Sequence, residues 1–134
     1  MASVALHFFY QLRDSGKMKL FEGSNDFRRD FIYITDIVKI NLHFFESKTS
    51  GIFNAGTGEA RSFFKIAEIM QNLNGSGIIE EVAFPSDLQG KYQEFTEADL
   101  INLRKVGYNE EFFSLEEGLN QYYDLLNSND GLYI

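Results

Sequence analysis

Four short apolar runs, at residues 19–22, 31–34, 51–55 and 78–82, alternate with stretches whose apolar side chains recur at helical spacing. This alternation predicts an α/β class with about five helices. Four strands are too few to complete a doubly wound sheet. The 134 residues therefore read as a single domain, 1–134, that forms one part of a larger α/β assembly.

The helical stretches carry recognisable punctuation. Residues 2–12 put Val4, Ala5, Phe8, Phe9 and Leu12 on one face, and Gly16 can close that helix in a left-handed conformation. Only the initiator Met1 stands where a cap belongs, so the chain reads as cut from something longer. Thr35 or Asp36 is expected to cap a second helix through Phe45, and a third is expected over 62–73. Thr96-Glu-Ala-Asp99 and Ser114-Leu-Glu-Glu117 both have the pattern of a capping box, opening helices over 96–105 and 114–126. The tail after Asn127 is expected to fray.

Composition removes several classes of function. The chain has no Cys, which excludes thiol nucleophiles and Cys-held zinc or iron–sulfur centres. Its 12 basic and 20 acidic residues give 12 − 20 = −8, which is unsuited to duplex nucleic acid or anionic lipid. No apolar run is long enough to cross a bilayer, and no basic region precedes the apolar start, so no nucleic-acid or membrane partner and a cytoplasmic setting are expected. Fourteen Phe and seven Tyr remain to build the core and any flat ligand contact.

Two segments could hold a phosphate-bearing ligand. Gly56-Thr57-Gly58 follows an apolar run and precedes a helix, like the opening of a dinucleotide fingerprint, but Arg61 stands in place of the third glycine. The plainer reading is a glycine-softened turn. Phe21-Glu22-Gly23-Ser24 with Arg28-Arg29-Asp30 combines an aromatic ring, backbone amides, a hydroxyl and a guanidinium, which suits a nucleotide. Its plainer reading is a strand, a turn and two solvated arginines.

His7 and His43 have no second histidine at metal-ligand spacing, so no metal site is expected. Tyr92, in Gly90-Lys-Tyr-Gln, could bind a ligand or pin a loop. No tyrosine is followed four residues later by lysine, and no serine sits on a nucleophile elbow. No catalytic residue is therefore assigned within this chain.

Taken together, Arg29-Asp-Phe-Ile-Tyr-Ile-Thr-Asp36, residues 51–58 and the helix opened by Ser114 resemble the C-terminal part of extended short-chain dehydrogenases acting on nucleotide sugars. Leu20-Phe-Glu-Gly-Ser24, residues 90–100 and Asn102-Leu-Arg104 with Gly107-Tyr108 resemble the ADP-L-glycero-D-manno-heptose 6-epimerase family in particular. The resemblance implies a substrate-binding region whose NADP-holding Rossmann domain is absent from this chain. It assigns contacts with ADP-heptose to His7, Phe21, Glu22, Gly23, Ser24, Arg29 and Tyr92, and it places a strand within 51–58 at the edge of the Rossmann sheet. It further implies a homo-oligomeric isomerase of lipopolysaccharide synthesis, in which NADP removes and returns a hydride at heptose carbon six, with this chain alone inactive. A related 4-epimerase or dehydratase, or a non-catalytic acidic interaction module, are the alternatives.

Overall fold

The computed structural model describes residues 3–129. Helix α1 (Val4–Ser15) starts at Ser3, whose hydroxyl accepts from the Leu6 amide, and it ends at Gly16 with φ 68°. This corrects the uncapped start expected from sequence, because Ser3, counted there inside the helix, is its cap. Residue 2 of the expected helix lies outside the described residues, as does the tail from 130. Strand β1 (Lys17–Phe21) pairs in parallel with β4 (Ile78–Val82), in register from Lys17 opposite Ile78 to Phe21 opposite Val82. Between them in sequence come β2 (Arg28–Asp30), α2 (Ile34–Glu46), β3 (Ala60–Ser62) and α3 (Phe63–Asn74).

The main core lies where α1, α3 and α5 (Leu115–Ser128) pack together against β1. It is built from Phe8, Phe9, Leu12, Met18, Leu20, Ile66, Met70 and Leu126, all nearly or fully buried. Ser114 and Glu117 form the expected capping box at the start of α5. A smaller core joins Ile40 of α2 to Leu103 of α4 (Ile101–Lys105) and to Tyr108. Burial pushes the Tyr108 hydroxyl above the ordinary tyrosine range, and the charges of Asp36 and Glu110 add to this against the opposing Arg104.

Three elements differ from the sequence reading. The strand expected over 31–34 forms at Arg28–Asp30, because that backbone finds partners on both sides: β3 in antiparallel register and, at Arg28, the chain at Glu94 to Thr96. Phe31 instead meets Phe63 edge-on at 5.4 Å. Residues 51–58 form no strand with any described residue, so the short strand expected over 51–55 does not form within this chain. The helix expected over 96–105 shortens to α4, since Glu97 and the Ala98 amide are engaged elsewhere and Asp99 accepts from the Ile101 amide.

Asp36 is likewise not a cap. It lies in the first turn of α2, fully buried, accepts from the Phe113 amide at 2.8 Å and sits 3.6 Å from Lys39 Nζ. Replacing it with alanine leaves the half-buried Phe113 amide without its partner and opens a cavity, so Asp36→Ala is expected to lower unfolding free energy by about 2 kcal/mol. Thr35→Ala, at an exposed position, is expected to stay within about 0.5 kcal/mol of the parent. Urea titration of the two variants checks both values.

Candidate functional site

Strand alternation sets up the first wall of the site. In β1 the side chains of Met18 and Leu20 are buried, while Lys19 and Phe21 share the other face. The chain then turns back: the Ser24 amide donates to the Phe21 carbonyl at 3.0 Å, and Gly23 supplies φ 82° at the third position of the turn. The Glu22 amide donates to the Val82 carbonyl, extending the β1–β4 ladder by one residue and leaving the Glu22 side chain exposed.

This turn drives Ser24 inward. The residue is 2% exposed, and its hydroxyl has no hydrogen-bond partner among the described residues. It lines a cavity of about 160 Å³ together with Val4, Phe8, Lys19, Leu20, Phe21, Phe27, Phe63 and Tyr92. Behind the cavity the aromatic rings interlock. Phe27 meets Tyr92 at 5.0 Å and Phe84 at 5.4 Å, and Phe84 meets Phe21 at 5.5 Å and Tyr92 at 5.6 Å.

Arg29 closes the edge. Its guanidinium carbon lies 5.3 Å from the Tyr92 ring centre and 5.9 Å from that of Phe63, and Nη1 donates to the Arg28 carbonyl at 3.0 Å. No carboxylate of the described residues pairs with it. A half-buried arginine held over aromatic faces keeps most of its donors available to an anion.

Asp30, the next residue, has the opposite role. Its carboxylate accepts from the Thr57 amide at 2.7 Å, the Thr57 hydroxyl at 2.6 Å, the Gly58 amide at 2.8 Å and the Ala98 amide at 3.0 Å. Gly56 must be glycine, because a Cβ there would collide with the Asp30 carboxylate and the Ala98 methyl. The Gly56-Thr57-Gly58 turn is thus an anion nest filled by a side chain of the same protein, and it does not fit a dinucleotide phosphate. Arg61 is committed as well, to Glu116.

Of the expected site residues, the structure brings Phe21, Ser24, Arg29 and Tyr92 together, with Gly23 shaping the turn and Glu22 at its exposed corner. His7 stands apart: it is exposed on α1 and does not line the cavity, although Val4 and Phe8 of the same helix do. Lys19, Phe27, Phe63 and Phe84 were not expected. The two-residue spacing of Lys19 and Phe21 is the signal that could have revealed the lysine. Among the described residues there is no cluster of three metal-ligating side chains, and no helix is long and apolar enough to cross a membrane.

No protein-family model matches the chain. Over 132 residues it is 48% identical to the ADP-L-glycero-D-manno-heptose-6-epimerase of Brachyspira hyodysenteriae, a match covering 98% of this chain and 42% of that enzyme. The chain is similar to part of an ADP-heptose epimerase. The crystal structure of the Helicobacter pylori ADP-L-glycero-D-manno-heptose-6-epimerase shares the fold, with TM-score 0.83 at 24% identity over 96% of this chain and 38% of that one. The Thermus thermophilus UDP-glucose 4-epimerase, solved as a complex with NAD, gives 0.77 at 20% identity over 92% of this chain and 40% of the other. The fold is that of a part of these two epimerases. The chain spans about two-fifths of the length of the epimerases it matches.

The nest makes a test by pH possible. Burial alone would raise the Asp30 carboxyl, but the bonds from Thr57, Ala98 and Gly58 outweigh it and hold the group below the ordinary carboxylate range. A depressed carboxyl contributes stability above its unfolded value near 3.8, and this is lost as pH falls through the lower folded value. Asp30→Asn is therefore expected to cost about 2 kcal/mol at pH 7, and the gap from the parent should narrow below about pH 4. Denaturant titrations from pH 7 to 3 measure that gap.

Proposed function

We propose that this chain supplies the nucleotide-sugar-holding portion of an epimerase that inverts carbon six of the heptose in ADP-D-glycero-D-manno-heptose. The observation that carries this reading is the buried, unpartnered hydroxyl of Ser24 facing an aromatic cavity, with Arg29 poised over Tyr92 at its edge. The high identity to the B. hyodysenteriae enzyme favours an ADP-heptose over the sugars of other epimerases that share the fold.

In this proposal the flat purine is held by the aromatic wall of Phe21, Phe27 and Tyr92, and Ser24 donates to a ligand acceptor through its free hydroxyl. Arg29 forks onto diphosphate oxygens, with Lys19 as a second cation at the cavity. Gly23 keeps the turn backbone close to the ligand, Glu22 lies at its exposed corner, and His7 reaches the ligand from the exposed face of α1. In a protein of net charge −8, a local pair of cations gives the diphosphate a defined seat. The work of this chain is to bind and orient, which fixes the reacting carbon through the rest of the ligand.

The redox cofactor of the whole enzyme is proposed to be NADP, held by residues outside this chain, because the one glycine-rich turn of dinucleotide type is occupied by Asp30. The general acid–base residues are placed outside it too. A homo-oligomeric, cytoplasmic enzyme of lipopolysaccharide synthesis completes the reading.

Calorimetric titration of the chain with ADP-heptose tests it. Weak binding is expected, reduced about tenfold or more by Arg29→Ala and also reduced by Ser24→Val. Heats unchanged in both variants would remove the cavity from the site. The purified chain alone is expected to show no epimerisation of ADP-heptose by NMR, and measurable turnover would contradict the division of labour.

A further inference from the structure

Helix α3 ends in the only Asn-Gly pair of the sequence, Asn74-Gly75. Such a pair can rearrange without an enzyme. The glycine nitrogen, with no side chain beside it, attacks Cγ of the asparagine carboxamide; a five-membered succinimide closes and ammonia leaves. Water then adds to either ring carbonyl, giving aspartate or isoaspartate, in which the main chain runs through the former side chain. One water is consumed and one ammonia released, so solvent is the only co-reactant.

The fold holds both reacting groups. Gly75 takes φ 72° to close α3, and its amide donates to the Asn72 carbonyl at 3.1 Å. The carboxamide of Asn74 is tied at both ends: Nδ2 donates to the Ser76 carbonyl at 3.0 Å, and Oδ1 accepts from the Tyr123 hydroxyl at 3.0 Å. The Ser76 bond is local. The Tyr123 bond reaches across to α5, and the Tyr123 ring meets Phe9 of α1 edge-on at 5.6 Å. Asn74 is half-buried and Gly75 exposed, so the solvent that opens the ring is at hand.

We infer that Asn74 is a modification site, converted in solution to aspartate and isoaspartate, and that the Tyr123 hydroxyl is the latch that sets the rate. Cyclisation requires Cγ to swing onto the Gly75 nitrogen, which breaks the Oδ1 bond and frees the amide from Asn72. That happens when the second half of α5 lifts from α3, a local opening that costs less than global unfolding. Conversion is then one-way. Aspartate at 74 has no donor for the Ser76 carbonyl and adds a negative charge at a helix C-terminus, where the macrodipole disfavours it. Isoaspartate also lengthens the main chain in the turn that leads from α3 into β4. None of this depends on which sugar nucleotide is bound.

Peptide mapping by chromatography and mass spectrometry measures aspartate and isoaspartate at residue 74 during incubation in mildly alkaline buffer. Conversion in the folded chain is expected to be at least about tenfold slower than in the same chain unfolded in urea. Tyr123→Phe keeps the ring and removes only the hydroxyl; folded by circular dichroism, it is expected to convert several-fold faster than the parent. Equal rates in the folded and unfolded parent would overturn the inference, and so would a folded Tyr123→Phe that converts at the parent's rate. The parent alone gives a second reading of the latch. Below the urea concentration of global unfolding, conversion should rise in step with hydrogen exchange of the α5 amides, and a rate that stays flat while those amides open would overturn it too.

Discussion

A single carboxylate ties the middle of this molecule together. Asp30 collects amides from Thr57, Gly58 and Ala98 and the hydroxyl of Thr57, so three segments far apart in sequence meet at one charge. The bonds are charge-assisted and partly shielded from water, which makes them stronger than ordinary turn contacts. They fix strand β2 in position, and alternation along that strand then sends Arg29 away from the nest. There its guanidinium lies over Tyr92 and Phe63. The arrangement of neighbouring opposite charges in Arg29-Asp30 is therefore a division of tasks: one binds the protein to itself, and the other keeps its donors clear of every carboxylate of the described residues.

The same contrast explains what could be read from sequence. Elements decided by local signals were legible. The helices of α1, α3 and α5 followed from apolar spacing, with glycine or hydroxyl punctuation at Gly16 and Ser114, and β4 followed from its apolar run. Elements decided by distant partners were not. Residues 31–34 are as apolar as a strand should be, yet the ladder forms one step earlier because β3 and the chain near Phe95 offer partners to Arg28–Asp30. Thr96-Glu-Ala-Asp99 has the letters of a capping box, but Glu97 bonds the Ala60 amide and the Ala98 amide belongs to Asp30. Residues 51–58 look like a strand but find no partner strand among the described residues.

For the candidate site, residue type carried much of the information. An aromatic, a glycine turn, a hydroxyl and a guanidinium within nine residues suit a nucleotide, though a strand, a turn and two solvated arginines read as plainly, and in the structure Phe21, Ser24, Arg29 and Tyr92 converge. What composition could not supply was depth. Phe27, Phe63 and Phe84 join the wall through tertiary packing, and the inward turn that buries Ser24 depends on Gly23 adopting a left-handed backbone. Nor could sequence show that the Gly-x-Gly turn is already filled, since its occupant lies 27 residues upstream.

The central claim is that the anchored strand β2 presents Arg29 to the diphosphate of a nucleotide sugar beside the buried hydroxyl of Ser24. A crystal structure of the protein with ADP-heptose bound is the most direct measurement of it. The expected result is diphosphate oxygens within hydrogen-bonding distance of the Arg29 guanidinium, the base against the Phe21–Phe27–Tyr92 wall, and Ser24 Oγ bonded to the ligand. Density for the nucleotide at any other surface, with Arg29 still resting on Tyr92 and Ser24 still unpartnered, would contradict it.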